Sequence, residues 1–263
     1  MKIQRISTSH LKEISKLKLK KYRDETQTFI IETEKVLDEA INSDWKVKEI
    51  YLTKNNIHLF HKYSELKQRD ELKFFELSEN EFKKISNEVT PPGVAALVEK
   101  KSFNFRSLFS LRKNLILLFE KISDPGNLGT ILRTADWFGF QSIVLSKESV
   151  EFTNPKVVRA SMGSIFHLNI YDEVVLDEFL IQSKKAGYTI VGTTTNGKSI
   201  TRFSIPEKVV VIFGNESKGI SQKILSECSE VISIPSIGKA ESLNLAISTS
   251  IILYELRRKE IIK

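Results

Sequence analysis

Two kinds of hydrophobic spacing alternate along this chain. Short unbroken apolar runs bounded by turn residues read as buried strands, and apolar positions three and four apart read as helices packed along one side. The sharpest case is Leu115 to Arg133, LILLFEKISDPGNLGTILR. Leu115 to Phe119 has the buried-strand pattern, and Asp124, Pro125 and Gly126 end it as strong turn formers. Asn127 is the expected N-cap of a helix in which Leu128, Ile131, Leu132, Ala135 and Phe138 share a face. At about 100° per residue Arg133 falls off that face, so its guanidinium is expected to project outward near the strand-to-helix turn. Free backbone N–H groups collect at such a helix start, where α/β folds place ligands. Taken alone, the segment reads more readily as an ordinary βα junction with a solvated arginine.

The alternation continues downstream. Strands are expected at Ser142 to Leu145, Ile165 to Ile170, Thr189 to Thr193, Val209 to Phe213 and Val231 to Ile234. Helices are expected from Thr153-Asn154-Pro155 toward Met162, from Asp177 to Ala186 with Gly187 as its stop, from Ser221 to Glu227, and from Ser242 to Arg258. This predicts an open, doubly wound parallel sheet of about six strands. The first hundred residues predict a smaller α/β unit. Its strands are Thr28 to Ile31, Val47 to Leu52, Lys73 to Leu77 and Val94 to Val98; its helices are Glu34 to Ile41, His58 to Gln68, and a short one opened by the Ser78/Glu81 capping box and running to Ile85. Lys100 to Lys113 lacks a period, and Phe103, Phe105, Leu108 and Phe109 are expected to pack between the domains. The organisation read here is a first domain at 1–100, a linker at 101–113 and a second domain at 114–263.

The chain has 263 residues, of which 41% are hydrophobic, enough for real cores. It contains no apolar run of the ~18 to 20 residues a spanning helix needs and no secretion-like start, so a cytoplasmic, non-membrane protein is expected. The single cysteine, Cys228, is read as packed and inert. The histidines His10, His58, His61 and His167 offer no ligand set for a metal. The net charge of +7 and pI near 9.2 favour a polyanionic partner. Lys12, Lys16, Lys18, Lys20, Lys21 and Arg23 crowd the N-terminus between Leu11, Ile14, Leu17 and Leu19. A helix there would bury its leucines and present a basic stripe suited to phosphates, or a merely solvated face. The first domain carries no cluster of catalytic residue types and is read as a recognition unit, with Phe29 and Tyr22 as candidate nucleic-acid contacts, although each taken singly is more readily a core residue.

Two further stretches look like parts of a site. VVVIFGNESKG, Val209 to Gly219, runs from a buried strand into a loop whose glycines bracket Glu216. ISIPSIGKAESLN, Ile232 to Asn244, runs from a strand through Gly238 to Ser242 and Asn244, which serve as well for helix-start residues. All three stretches lie at carboxyl ends of strands. No dinucleotide fingerprint, phosphate loop or nucleophile-histidine-acid set accompanies them.

Together they resemble the SpoU (TrmH-type) family of SPOUT RNA ribose 2′-O-methyltransferases. The matching motifs are Asn127-Leu-Gly-Thr-Ile-Leu-Arg133 with Thr134-Ala135, Phe213-Gly-Asn-Glu216-Ser-Lys-Gly219, and Ile234-Pro235 through Gly238 to Glu241-Ser242-Leu243-Asn244. FIIETEKVLDEA (Phe29 to Ala40) and PPGVAALVE (Pro91 to Glu99) resemble edges of the family's substrate-binding domain, a small α/β fold of ribosomal-protein type. Ser236 and Ala240 stand where relatives tend to carry larger apolar residues, which bears on how the third loop grips its ligand. The resemblance implies a deep trefoil knot in the catalytic domain, S-adenosylmethionine as cofactor, and a homodimer with knots packed together. Carried over by position, Thr193, Gly214, Ile234 and Leu243 would hold the cofactor, while Arg133, Asn127, Glu216, Ser242 and Asn244 would form the catalytic set. By family analogy the substrate is structured ribosomal RNA of the 23S type. Transfer RNA as substrate, and a non-enzymatic ribosome assembly factor that has kept the fold, stay open at this point. Base methylation gains less support, because no cysteine or aspartate stands where that chemistry would want one.

Overall fold

The computed structural model describes residues 2–65, 72–110 and 114–261. Two compact units divide the chain: Met1–Lys101 with Thr153–Phe166, and Ser102–Phe152 with His167–Lys263. The elements of the first stretch are β1 (Ile3–Arg5), α1 (Thr8–Lys16), α2 (Lys20–Thr26), β2 (Thr28–Glu32), α3 (Glu34–Asn42), β3 (Val47–Thr53), α4 (Leu59–Ser64), β4 (Lys73–Leu77), α5 (Glu79–Ile85) and β5 (Val94–Glu99). There follow β6 (Asn114–Phe119), α6 (Pro125–Trp137), β7 (Ser142–Ser146), α7 (Pro155–Ser161), β8 (Asn169–Val174), α8 (Leu176–Lys185), β9 (Thr189–Ser199), β10 (Lys208–Phe213), α9 (Gln222–Leu225), β11 (Glu230–Ser233) and α10 (Leu245–Ile261).

In the first unit the strand order is β1-β4-β3-β5-β2, with β1, β4 and β3 parallel and β5 antiparallel to both its neighbours. The Ser78/Glu81 capping box is present in full and starts α5. The short edge strand β1 was not expected; three residues are too few to show a period. The basic N-terminal stretch forms two helices instead of one, broken at Leu17 to Leu19. Arg23 explains the break: it is 4% exposed, and its Nη1 donates to the Leu17 carbonyl at 2.6 Å. It therefore leaves the basic stripe and serves as an internal cap. Phe29 is also withdrawn as a nucleic-acid contact, since it is fully buried and meets Trp45 edge-on at 6.2 Å. The helix expected over His58 to Gln68 is present as α4 from Leu59 to Ser64, and positions 66–68 of the expected span lie outside the described residues.

Within the segment 153–166, Asn154 caps α7 through its side chain and Pro155 occupies the first turn. Ile165 and Phe166 are not strand residues as expected. They lie in a 3-10 turn, and their hydrophobicity is spent on core packing: Phe166 meets the Trp45 ring at 5.4 Å. Strand β8 begins only at Asn169.

The second unit contains six parallel strands in the order β11-β9-β10-β6-β7-β8. Alternate residues Ile116, Leu118, Val210 and Ile212 form one buried layer with Phe179 and Leu180 of α8. Phe103, Phe105 and Phe109, expected between the domains, belong to this layer. They lie 5.6 to 5.8 Å from the rings of Tyr171, Phe179 and Tyr188 respectively. Helices α6 and α10 pack side by side, with Thr134 Oγ1 3.4 Å from Ser250 Oγ and the Arg257 Nε donating to Phe138 O at 2.6 Å. At the far end of α10 the Lys259 ammonium donates to the carbonyls of Ile200, Thr201 and Phe203, and burial lowers its pKa. Cys228 is half-buried, and burial pushes its thiol up to about 11, so it stays protonated at neutral pH. Among the described residues no helix is long and apolar enough to cross a membrane.

Candidate active site

Strand order reverses between β6 and β10. Successive strands run outward from β6 through β7 to β8, and the chain then returns past β6 to β9. Open α/β sheets bind ligands beyond the carboxyl ends of strands at such a point. Here the two strands end in register, Phe213 opposite Phe119, their rings stacked at 5.0 Å. Everything after these phenylalanines belongs to the two loops that the sequence singled out.

The first loop differs from expectation at its helix. Asp124, not Asn127, is the N-cap: its Oδ1 accepts from the Asn127 N–H at 2.7 Å, and Pro125 occupies the first turn. The helix thus begins three residues early, and Asn127 is left free to turn its amide toward the second loop. Arg133 is exposed, and among the described residues it has no hydrogen-bond or ion-pair partner. It lies two turns along α6, about 12 Å from the helix start, so it is farther from the strand-to-helix turn than expected.

The second loop is folded tightly on itself. Asn215 and Gly219 exchange backbone hydrogen bonds at 3.0 and 2.9 Å, and Asn215 Oδ1 accepts from the N–H groups of Ser217 and Lys218. Gly214 is required here, because a Cβ would stand 2.0 Å from the Gly219 carbonyl carbon. Glu216 reaches back to the first loop. Its oxygens accept from Ser123 Oγ at 2.8 Å, the Asp124 N–H at 2.9 Å and Asn127 Nδ2 at 3.3 Å. Burial acts to raise the Glu216 pKa, but the donors from Asp124 and Ser123 outweigh it and hold the carboxyl below its ordinary value.

Asn244 completes the chain of side chains. Its Nδ2 donates to Asn127 Oδ1 at 3.0 Å while its own Oδ1 accepts from the Ala246 and Ile247 N–H groups, capping α10. Sequence reasoning offered a cap or a site residue; Asn244 caps α10 and in the same conformation bonds to Asn127, and Ser242 lies before the helix.

Beside this chain is a cavity of about 650 Å³, within the range of about 300 to 1,000 Å³ typical of small-ligand sites. Thr193, Gly214, Ile234 and Leu243 all line it, as do Glu216 and Ser242. The walls combine backbone and hydroxyl groups with Ile220, Leu245 and Ile252, a mixture suited to an adenine ring joined to a polar ribose and amino acid. The residues present therefore fit S-adenosylmethionine. Arg133, Asn127 and Asn244 are not in the lining. Sequence reasoning missed Ser123, which shares Glu216, and Ser248, which lines the cavity from α10. Serines signal nothing by type alone; the pairing across ninety residues is visible only in three dimensions. Among the described residues no cluster of His, Cys, Asp or Glu could hold a metal ion.

Comparison with known proteins places this geometry. Residues 114–254 match the SpoU rRNA Methylase family, and residues 8–96 match the MRM3-like substrate binding domain. The chain is 33% identical to the 23S rRNA (guanosine(2553)-2′-O)-methyltransferase RlmP of Bacillus subtilis, over 97% of this chain and 98% of that one. It is 32% identical to the 23S rRNA (uridine(2479)-2′-O)-methyltransferase of Streptomyces viridochromogenes, over 65% of this chain and 62% of that one. The AdoMet-bound rRNA methyltransferase of Sinorhizobium meliloti superposes with a TM-score of 0.88 at 30% identity, covering 98% of both chains. With a family match at 114–254 that spans every residue lining the cavity and more than half of the chain, and a relative aligned nearly end to end, the chain belongs to the SpoU rRNA methylase family.

Proposed function

We propose that the protein methylates a ribose 2′-hydroxyl of ribosomal RNA, of the 23S type, using S-adenosylmethionine. One observation carries this reading: a cavity fitting the cofactor is edged by the Glu216–Asn127–Asn244 chain, so that all three family motifs meet in one place. When bound, S-adenosylmethionine supplies a methyl on a sulfonium, whose transfer to the 2′-oxygen releases the thioether and a proton.

The protein's part is chiefly to position. Holding reactants in line is worth on the order of 7 to 11 kcal/mol. Glu216 locks the motif-one loop, Asn127 and Asn244 fix one another, and Thr193, Gly214, Ile234, Ser242 and Leu243 bound the cofactor. Arg133 clamps a substrate phosphate and stabilises charge developing on the 2′-oxygen. A guanidinium, protonated at every accessible pH, cannot be the base, so the proton leaves late or to water.

The reading extends to assembly and recognition. Ile247, Ile251 and Tyr254 form an exposed apolar stripe on α10, 38 to 56% accessible, and Trp137 on α6 is 84% accessible. Trp137 follows Arg133 by one helical turn, so a homodimer packed on this face would bring Arg133 to the edge of its interface. The SpoU likeness supports a deep trefoil knot within the second unit. In the first unit Lys12, Lys16, Lys18 and Lys83 have no carboxylate partner among the described residues, and Lys16 stands 5.4 Å over the Tyr22 ring. Lys18 reaches α5 at the Lys83 carbonyl, 3.4 Å away. These lysines form a face suited to RNA phosphates. The enzyme is read as cytoplasmic, where ribosomal RNA is met.

The test is transfer of labelled methyl from S-adenosylmethionine to purified 23S rRNA, with transfer RNA in parallel and the product mapped for ribose methylation. Label on a 23S ribose supports the reading. Label on transfer RNA alone moves the substrate class, and no label on either with folded, cofactor-binding protein overturns the enzymatic reading. A particle of twice the 30.1 kDa chain mass in light scattering, converted to a single chain by Ile247→Asp with Ile251→Asp, checks the dimer.

A further inference from the structure

Glu120 is a buried carboxylate, 6% exposed, that none of the steps above uses. It follows Phe119 at the end of β6, and its own N–H donates to Phe213 O at 2.8 Å, extending the pairing with β10 by one step. Its side chain turns the other way along the second loop. Glu120 Oε2 accepts the Ser221 N–H at 2.8 Å.

Ser221 is where the second loop ends. Its hydroxyl accepts from the Ile224 N–H and caps α9, and the two residues before it, Gly219 and Ile220, line the cavity. Ile220 also lies over β9: its Cδ1 is 3.5 Å from where a Cβ on Gly192 would stand, one residue before the cavity residue Thr193. The loop Gly214–Ser221 is therefore held at both ends by carboxylates running in opposite directions. Glu216 reaches from the loop to Ser123 and Asp124; Glu120 reaches from the strand that precedes them to Ser221.

We propose that Glu120 is a positioning residue for the cofactor: by holding the Ser221 N–H it fixes the Gly219–Ile220 wall of the cavity. It touches neither substrate nor reacting atoms and acts only through the loop. Its length matters more than its charge, because the Ser221 N–H, in a part-buried bond, needs an acceptor at hydrogen-bond distance and loses this one when the side chain is one methylene shorter. The inference rests on the proposed function only in naming S-adenosylmethionine as the occupant.

The test uses the full chain with Glu120→Gln and Glu120→Asp. Glutamine keeps both length and an acceptor oxygen; aspartate keeps the charge and falls short. Binding of S-adenosylmethionine is measured by calorimetry, and exchange of the Ser221 amide is measured in the cofactor-free protein. For Glu120→Asp the expectation is an affinity weaker by roughly tenfold and Ser221 exchange faster by roughly tenfold, with kcat at saturating cofactor within about threefold. Glu120→Gln is expected within about threefold of the wild type in all three. Wild-type binding and exchange in the aspartate variant overturn the proposal, as does a glutamine variant as impaired as the aspartate one. An equal fall in kcat and in affinity also overturns it, since that pattern marks general damage. If the wild type binds no S-adenosylmethionine, the functional reading fails, and Ser221 exchange still decides the role of Glu120.

Discussion

The two loops that face each other across the cavity are built differently. Gly214–Ile220 is bonded to itself and, through Asn215 and Glu216, to the segment Lys121–Asn127. Pro235–Leu243 is exposed at every residue, with Ile237 fully so, and makes no hydrogen bond among the described residues. A wall whose donors are already satisfied presents its shape before a ligand arrives, at no further ordering cost. A wall without partners acquires them from the ligand, and part of the binding free energy is used to order it. The contrast teaches where each kind of substitution acts: on the first wall it changes the folded protein, on the second it changes only the complex.

Several outcomes would sharpen or break this contrast. The largest effect is expected outside both walls. Arg133→Ala should lower kcat/KM for RNA by about 10²- to 10³-fold while cofactor affinity stays within about threefold; a matching loss of affinity in calorimetry would place Arg133 in the cofactor site instead. Arg133→Lys keeps the charge without the planar fork, and near-wild-type turnover in that variant would argue against a bidentate clamp. Gly214→Ala comes next. With backbone 2.0 Å from the new methyl, it should cost about 1 to 3 kcal/mol of stability and cofactor binding along with it, read from urea unfolding and calorimetry.

Glu216→Gln should cost about 1 to 2 kcal/mol at pH 7, and the loss depends on pH with a definite sign. The folded carboxyl titrates below its ordinary value, so its contribution is complete above the unfolded range near 4.3 and disappears as pH falls through the lower folded value. Urea midpoints of wild type and variant should converge on going from pH 7 to pH 3; a constant gap would show that the charge is not what holds the loop. The smallest change should come from the open wall. Ile237→Ala is expected to leave stability within about 0.5 kcal/mol, and a larger shift in the unfolding midpoint would show that the third loop is held in the free protein after all.

Much of the second unit was legible because its strands are continuous apolar runs and its helices keep a face. Leu115 to Phe119, Val209 to Phe213 and the buried positions Leu128, Ile131, Leu132 and Ala135 follow directly from that patterning. Local chemistry with two valid solutions was harder. Asp124 and Asn127 are both good caps, and Pro125 decides between them by favouring the first helical turn. Arg23 and Phe29 look like RNA contacts by type, but burial is a property of the assembled core, and one sits under Leu17 while the other faces Trp45. The Glu216 bonds to Ser123 and Asp124 join positions more than ninety apart in the chain. Apart from the Ser123 hydroxyl, their donors are backbone N–H groups, which every residue but proline carries, so no residue pattern could reveal them.

The segment Thr153–Phe166 has a bearing on ancestry and on engineering. Because the chain enters the first unit, leaves it after Lys101, and returns to it after Phe152, that unit is not a cassette encoded by one uninterrupted stretch of gene. A recombination event at residue 101 would transplant it without the ring of Phe166 that Trp45 packs against. Chimeras that exchange recognition modules between relatives would therefore have to carry the crossover between β7 and β8 as well, and a crossover inherited from a different parent would leave the transplanted module with a mismatched plug.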